Sequence, residues 1–544
     1  MRSVWKWSIG VAVCAIAVVA IANWYVNYSL KPKMEVALKK RVVDGTNGHY
    51  RLTYDELELS LLAGNATATN IRLTPAMSAD TRHRPAATIY HLRIGRLKIN
   101  GVGLLRLLIS NRLTINTITI DTPSFRIVRH RQVDTGATDS ASKPVHEQIT
   151  QTLSGIKVNR IVLQAGEFEL ADEHDATHLH IQKITGTARD IRIDSASLLD
   201  TARLYGAKAI QLEAETVDYV RPDSLYHLQI GPLHFQTTKE ELVLHNLRYG
   251  PTLSKAAFYR RTQLAKDISN ISISRIGLTG IDITRWVSAQ TIAAAALHID
   301  SGSIAIYKDK TQPNPPENKI GKSPHQQLLR LEQPVAIDSV LIGALDIGFT
   351  EVSDQTGKAG TVTFETTSGV IRNLTNDSLA LVRNRFMELH ARSRVMGAGD
   401  LTVDFRFDLR DSLGAHKYRA QLGPMSGTPF NKMLTPQLHV EIEHVAIQGL
   451  RFDMEANDRR TAGTLHLDYD NLKVNMLRED NEGGTSTKPI VSFFANRFLL
   501  NDSNPDANGV RHTGQVYIER PYSFSFFKMI WRSIREGTKE CIGL

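Results

Sequence analysis

Cysteine is nearly absent from this chain: 544 residues contain two, Cys14 and Cys541. No disulfide framework can staple the body, so cohesion must come from sheet and core, which about 500 residues can supply. The local signatures of common catalytic sites are also missing. There is no G-x-S-x-G, no phosphate-cradling glycine loop, no dinucleotide fingerprint and no C-x-x-C pair. The formal charge of +9 is modest for this length. Its basic residues are not interleaved with aromatics, which argues against nucleic acid and leaves an anionic membrane surface as the better electrostatic partner.

What the chain does have is a copy of itself. Leu97–Arg129 (LKINGVGLLRLLISNRLTINTITIDTPSFRIVR) recurs without a gap as Ile276–Lys308 (IGLTGIDITRWVSAQTIAAAALHIDSGSIAIYK). Ile118 maps on Leu297 and Asp121 on Asp300, each pair as far apart as 297 is from 118. Ile161–Leu170 lies over Val340–Phe349 at the same offset. What survives across such different residues is an apolar–polar pattern, as in stacked β-units sharing one apolar surface. A shared turn, an Asx residue before an apolar strand, recurs at Asn70-Ile71, Asp190-Ile191, Asn373-Leu374 and Asn471-Leu472. Matching Tyr90-His91-Leu92 to Tyr226-His227-Leu228 predicts an insertion of 43 residues in the second copy, the difference between offsets of 179 and 136.

Almost everything from Arg51 to Ile518 reads as strand. Leu401, Val403, Phe405, Phe407 and Leu409 alternate with Thr402, Asp404, Arg406, Asp408 and Arg410, giving one apolar and one charged face. Leu438, Val440 and Ile442 repeat the pattern. Helical signals are brief, as in Val102–Ser110 and its partner Ile281–Ala289. The fold class expected is therefore mainly β: an elongated, curled, repetitive antiparallel sheet. A closed sandwich would need a second layer; a curled sheet without one leaves an apolar trough, and such surfaces usually bind something. Those eight apolar residues are the expected lining. Two polar linkers at matching points, His130–Gln148 and Asp309–Gln327, are expected to be mobile loops, and a third loop spans Arg478–Lys488.

Both ends suggest a membrane. Ser8–Val26 carries no charge and approaches the roughly 20 residues needed to span a bilayer. Trp5, Trp7, Trp24, Tyr25 and Tyr28 flank it as aromatic belts. An uncleaved anchor is the favoured reading and a cleaved signal peptide the alternative, with Ala20-Ile21-Ala22 as the cleavage site. At the other end, residues 521–544 form an amphipathic helix with Phe526, Phe527, Ile530, Trp531 and Ile534 on one stripe. Such a helix lies in a membrane interface or caps the last strand, and both readings stay open. The organisation expected is an anchor (1–30), repeat units at 31–200, 201–385 and 386–520, and the terminal helix (521–544). The nearest approach to a metal cluster is Asp172, Glu173, His174, Asp175, His178 and His180. Its counterpart Glu351–Lys358 has no histidine, which favours a solvated loop. Catalytic residues, metal and cofactor are each expected to be none.

The anchor followed by Leu52–Leu73 resembles the bacterial AsmA-like family, the group that includes AsmA, TamB and DUF748-type proteins and is related to bridge-like lipid transfer proteins. The block Gly101–Asp121, the pair Gly427–Asp458 and Gly463–Leu477, and the terminal SFFKMIWRSIREGTKECIGL carry the same likeness. The resemblance implies a single-pass inner-membrane protein of a Gram-negative bacterium, with its β-body in the periplasm. It implies a non-enzymatic role in outer-membrane biogenesis: binding or transfer of phospholipid or another acyl-chain lipid, with an outer-membrane or envelope protein as partner and no nucleic acid. The rival expectation is a scaffold that receives nascent outer-membrane strands by β-augmentation.

Overall fold

The computed structural model describes residues 36, 39–40, 42–46, 48–60, 64–76, 88–103, 112–130, 154–174, 176–194, 196–197, 200–479, 485–489 and 501–544. The expected anchor, residues 8–26, lies outside them, as do most of the first polar linker and of the Val102–Ser110 turn. Among the described residues no helix is long and apolar enough to cross a membrane.

The protein is mainly β, a large curled and mostly antiparallel sheet, and divides into two compact units, Met1–His245 and Asn246–Leu544. The first holds β1 (Tyr50–Thr53), β2 (Glu56–Ser60), β3 (Asn65–Pro75), β4 (Thr88–Val102), β5 (Arg112–Arg129) and β6 (Gly155–Asp172). It continues through β7 (Thr177–Ile193), β8 (Ala207–Ala214), β9 (Thr216–Val220), β10 (Tyr226–Ile230) and β11 (Leu233–Gln236), and β12 (Glu241–Pro251) crosses its boundary. The second holds β13 (Ile268–Ile281), β14 (Ile292–Ile299), β15 (Gly302–Asp309), β16 (Val335–Val352), β17 (Ala359–Thr375), β18 (Phe386–Val395) and β19 (Gly399–Asp408). After these come β20 (His416–Leu422), β21 (Met425–Ser426), β22 (Val440–Ala456), β23 (Arg460–Glu479), β24 (Thr485–Pro489) and β25 (Thr513–Glu519). Its helices are α1 (Lys255–Thr262), α2 (Ile283–Ala289), α3 (Pro324–Leu329), α4 (Ser378–Arg383), α5 (Asn431–Leu438) and α6 (Phe526–Cys541).

The internal repeat is a repeat of strand register. In the first unit β5 pairs in parallel with β6, Ile118 opposite Ile161 and Ile127 opposite Leu170. In the second, β14 and β15 pair in parallel with β16, Leu297 opposite Val340 and Ile306 opposite Phe349. Every one of those residues stands at the copied position. The preceding antiparallel pair repeats too: Leu97 faces Ile120, and Ile276 faces Ile299. One expectation is overturned. Tyr90 faces Ile127, and the residue facing Ile306 is Ser269, so the uniform offset extends to Ser269. Tyr226-His227-Leu228 belong to β10, which pairs with β9, and the second copy carries no insertion at that point. The short helix expected at Ile281–Ala289 is α2, capped by the Asp282 side chain accepting from Arg285 N.

The shared Asx residues have a structural meaning. Asn70, Asp190, Asn373 and Asn471 all have left-handed backbone, with φ of 49°, 47°, 58° and 56°. Each sits inside a long strand, where a single left-handed residue interrupts the regular backbone and bends the strand. The ladder drops a pair without changing register: Arg189 pairs with Arg160 and Ile191 with Val158, leaving Asp190 and Asn159 between them out of the ladder. Side chains fix the bends. The nearly buried Arg203 guanidinium donates to Asp190 Oδ2 at 2.8 Å and holds that carboxyl below its ordinary pKa. Asn373 Nδ2 donates to the carbonyls of Asn384 and Phe386. A fifth instance, Asn246-Leu247 in β12, has φ 52° and was not among the expected turns. Left-handed backbone costs an ordinary L-residue about 1–2 kcal/mol, and asparagine and glycine are the usual exceptions. Asn471→Ala should therefore lower the unfolding free energy by about 1–2 kcal/mol and Asn471→Gly by clearly less, as urea titration of the two variants would show.

Candidate functional site

A sheet with an apolar face must cover it or expose it, and the two units do this differently. In the first unit Val42, among the helical residues 42–45, joins a core of Leu52, Ile94, Ile99, Leu113, Ile115 and Val158. Beside it lies a second cluster made of strand residues alone. Ile127, Phe168, Ile184 and Ala214 are buried, and Tyr90, Phe125, Leu163, Leu170, Leu179, Ile181, Leu212 and Leu233 are only half-buried around them. Aromatic rings run along it: Tyr90 stacks on Phe125 at 6.2 Å, and Phe125 meets Phe168 at 5.9 Å. Leu163 and Leu212 both face Gly186, one from each neighbouring strand. None of these residues was among the lining expected from the sequence, although the alternation through β6 (Ile161, Leu163; Phe168, Leu170) carries the signal.

The second unit covers its face with a helix. The expected lining residues Leu401, Val403, Phe405 and Phe407 do lie on β19, with Asp404 and Arg406 exposed on the opposite side. That wet face is laced with cross-strand ion pairs, such as Arg419 Nε to Asp453 Oδ2 at 2.6 Å. The apolar side, however, is not an open trough. Phe407 and Leu409 are buried with Met387 and Phe526 in one cluster, and the Phe526 ring sits 5.8 Å from Phe405 and 6.1 Å from Phe407. Leu409 stands just past the end of β19. Val440 and Ile442 are half-buried strand residues, whereas Leu438 is the last residue of α5 and half exposed, the chain turning at His439 with φ 53°.

Helix α6 is the cover. Ser525 caps it, accepting from Lys528 N. The residues it buries are Phe526, Met529, Ser533, Gly537 and Cys541, a mostly small stripe at helical spacing. Smallness is what the contact requires. A Cβ on Gly514 of β25 would meet Gly537 O at 2.2 Å, and one on Gly537 would meet the Leu465 Cβ at 2.8 Å. Backbone thus lies almost on backbone. The Tyr418 hydroxyl donates to Ser533 Oγ, and the fully buried Cys541 thiol points at Leu465 O. The expected interfacial stripe is split by this docking. Phe526, Ile530 and Ile534 pack on the sheet, while Phe527 and Trp531 remain exposed, 70% and 45%.

A buried polar node ties the second linker to this assembly. Arg520 Nη1 lies 2.8 Å from Asp458 Oδ1, both side chains nearly solvent-free, and Arg520 Nη2 donates to Lys319 O. Gln326 Nε2 donates to the other Asp458 oxygen at 2.7 Å. Asp309–Gln327, expected to be a mobile loop, is thereby pinned, and its end forms the capping box of α3. Two buried histidines complete the node, His325 Nε2 and His416 Nδ1 both donating to the Gly414 carbonyl. Burial pushes both below their ordinary value, His416 to about 4.

The histidine-rich turn is less than its sequence suggests. His178 Nε2 is 2.9 Å from Asp172 Oδ2 and His180 Nε2 is 2.7 Å from Glu167 Oε1, so the two histidines take separate carboxylates. The His174 ring is exposed and lies 4.0 Å from Glu173 Oε1, with only its backbone N–H donating to Asp172 Oδ1, and Asp175 lies outside the described residues. Glu167, Glu169 and His180 do converge within 4.8 Å, but the Arg126 guanidinium, 3.4 Å from Glu169, already supplies a cation there.

Compared with models of known protein families and with curated proteins, the chain matches none.

Two outcomes follow from the α6 assembly. Gly537→Ala overpacks the helix–strand contact, at a typical cost of about 1–3 kcal/mol. Cys541 should then react with a thiol reagent about ten-fold faster or more, as expected when local opening becomes that much easier. An unchanged labelling rate, read on the Cys541 peptide by mass spectrometry, would contradict the packing. Second, a histidine held below its ordinary 6.5 stabilises the fold fully above that pH and loses the contribution as pH falls towards the folded value. The melting temperature should fall as pH drops from about 7 to about 4.5, and His416→Asn should flatten the fall.

Proposed function

We propose that this chain is a membrane-anchored, non-enzymatic lipid-binding protein of the AsmA-like kind. Its uncharged segment 8–26 would hold it in the inner membrane, with the β-body in the periplasm serving outer-membrane biogenesis by binding or transferring phospholipid. The observation that carries the reading is the row of half-buried leucine, isoleucine and aromatic side chains around Phe168 in the first unit, covered by no helix among the described residues. An acyl chain laid along such a row gains about 0.8 kcal/mol per CH₂ removed from water, so a dozen methylenes outweigh the cost of ordering one chain. The opposite face of the same sheet is charged, which keeps the chain on one side.

In this reading the lipid lies on the first unit, and the Leu401–Leu409 face serves chiefly as the seat of α6. Leu163→Asp with Leu212→Asp should strip co-purifying lipid from the full-length protein, read by mass spectrometry of extracted lipids. Phe405→Asp with Phe407→Asp should instead release α6 and lower the melting temperature. A folded Leu163/Leu212 double variant with its full lipid content would refute the proposal.

A further inference from the structure

The second unit contains an open cleft of about 680 Å³ at one end of β13 and β15, lined by Lys255, Tyr259, Arg260, Gln263, Tyr307 and Gln312, with Ala256, Asp309 and Pro313 completing the wall. That is the volume of a small-molecule site. Its place in the fold is a strand end: Ile268, the first residue of β13, pairs with Tyr307, and α1 packs beside them.

The charge of the lining is positive on balance. Lys255 and Arg260 are exposed, and neither is paired with a carboxylate among the described residues. The Lys255 ammonium is held 3.8 Å over the Tyr307 ring, which positions it without neutralising it. The acid in the wall, Asp309, accepts from the neutral donors Thr311 N, Thr311 Oγ1 and Gln312 Nε2, which orient its carboxylate within its own turn but leave its charge, so the wall carries two cations against one anion. The Tyr259 hydroxyl is saturated as well, donating to Lys266 O and accepting from Asp309 N. Just outside, Lys308 is matched by Asp267 and Lys310 by Glu351, so the neighbouring lysines add no net charge and the cleft wall itself keeps one positive charge in excess. Lys255 and Ala256 are also the first residues of α1, whose cap Ser254 engages Ala257 N and leaves their two amides directed out of the helix start.

We propose that this cleft binds a phosphate ester. The Arg260 guanidinium and Lys255 ammonium would hold the phosphate oxygens, and the Gln263 and Gln312 amides and the tyrosine rings would meet the alcohol portion. The ester is either a lipid head group or a soluble hydroxylated phosphate, the two sharing the same recognised group. The first source deepens the lipid-binding reading and rests on it; the second stands without it.

The test uses the full-length protein and Lys255→Gln with Arg260→Gln. Titration calorimetry with sn-glycerol 3-phosphate reads the soluble source. Flotation with phosphatidylglycerol vesicles, against phosphatidylcholine vesicles, reads the lipid source. Binding in either arm that weakens about ten-fold or more in the double variant, a loss of about 1.4 kcal/mol, supports the cleft. Absence of binding in both arms, or undiminished binding by the folded variant, overturns it. Should the double variant not fold, Gln263→Glu sets a carboxylate in the cleft and must produce the same loss. Displacement of a neutral fluorescent acyl alcohol should be unchanged in these variants, so failure here is distinguishable from failure of the acyl-chain row in the first unit.

Discussion

The rest of the molecule depends on how a one-sided sheet disposes of its apolar face. A strand with strict alternation buries half its side chains only if something lies over them. In the second unit that something is α6, and its docking explains several otherwise unrelated features. It accounts for the glycines at 514 and 537, the buried Ser533 and Cys541, and the place of Phe526 among the rings of β19 and β20. In the first unit the helical residues near Val42 cover one cluster, and the neighbouring one is left half-wet. The same sequence pattern thus yields a closed core in one place and an open apolar row in another.

Much of this was legible in the residues. The uniform offset between the two long copies corresponds to identical strand pairings, because a pattern conserved in register is what a shared ladder requires. The Asx-apolar turns were legible as turns, since asparagine and aspartate tolerate left-handed backbone; that they fall inside long strands as bends became visible only from pairing. Other bends left no trace. Thr122, Ala165, Lys183 and Thr366 also have positive φ, and nothing in threonine, alanine or lysine announces it, because tertiary pairing imposes the conformation against local preference.

The site was less legible. Leu401 to Phe407 were correctly placed on one face, but alternation cannot say whether that face meets water, lipid or a helix. The clue was in α6, whose Ser533, Gly537 and Cys541 recur every fourth residue; the eye goes first to Phe527 and Trp531, which the helix leaves outside. The Asp309–Gln327 segment looked mobile because its composition is that of a linker, whereas Asp458 and Arg520, far away in sequence, supply its partners.

That last arrangement bears on how the protein comes together. A parallel strand pair needs a crossover, and in the second copy the crossover is fastened through Ser323 to Arg520, a separation of 197 residues. Contacts so distant close late, since chain entropy is lost before they return any stabilisation. The crossover, the end of the last long strand and the seat of Phe526 are thus expected to order together in the final steps of folding, making this node a checkpoint on the completion of the second unit.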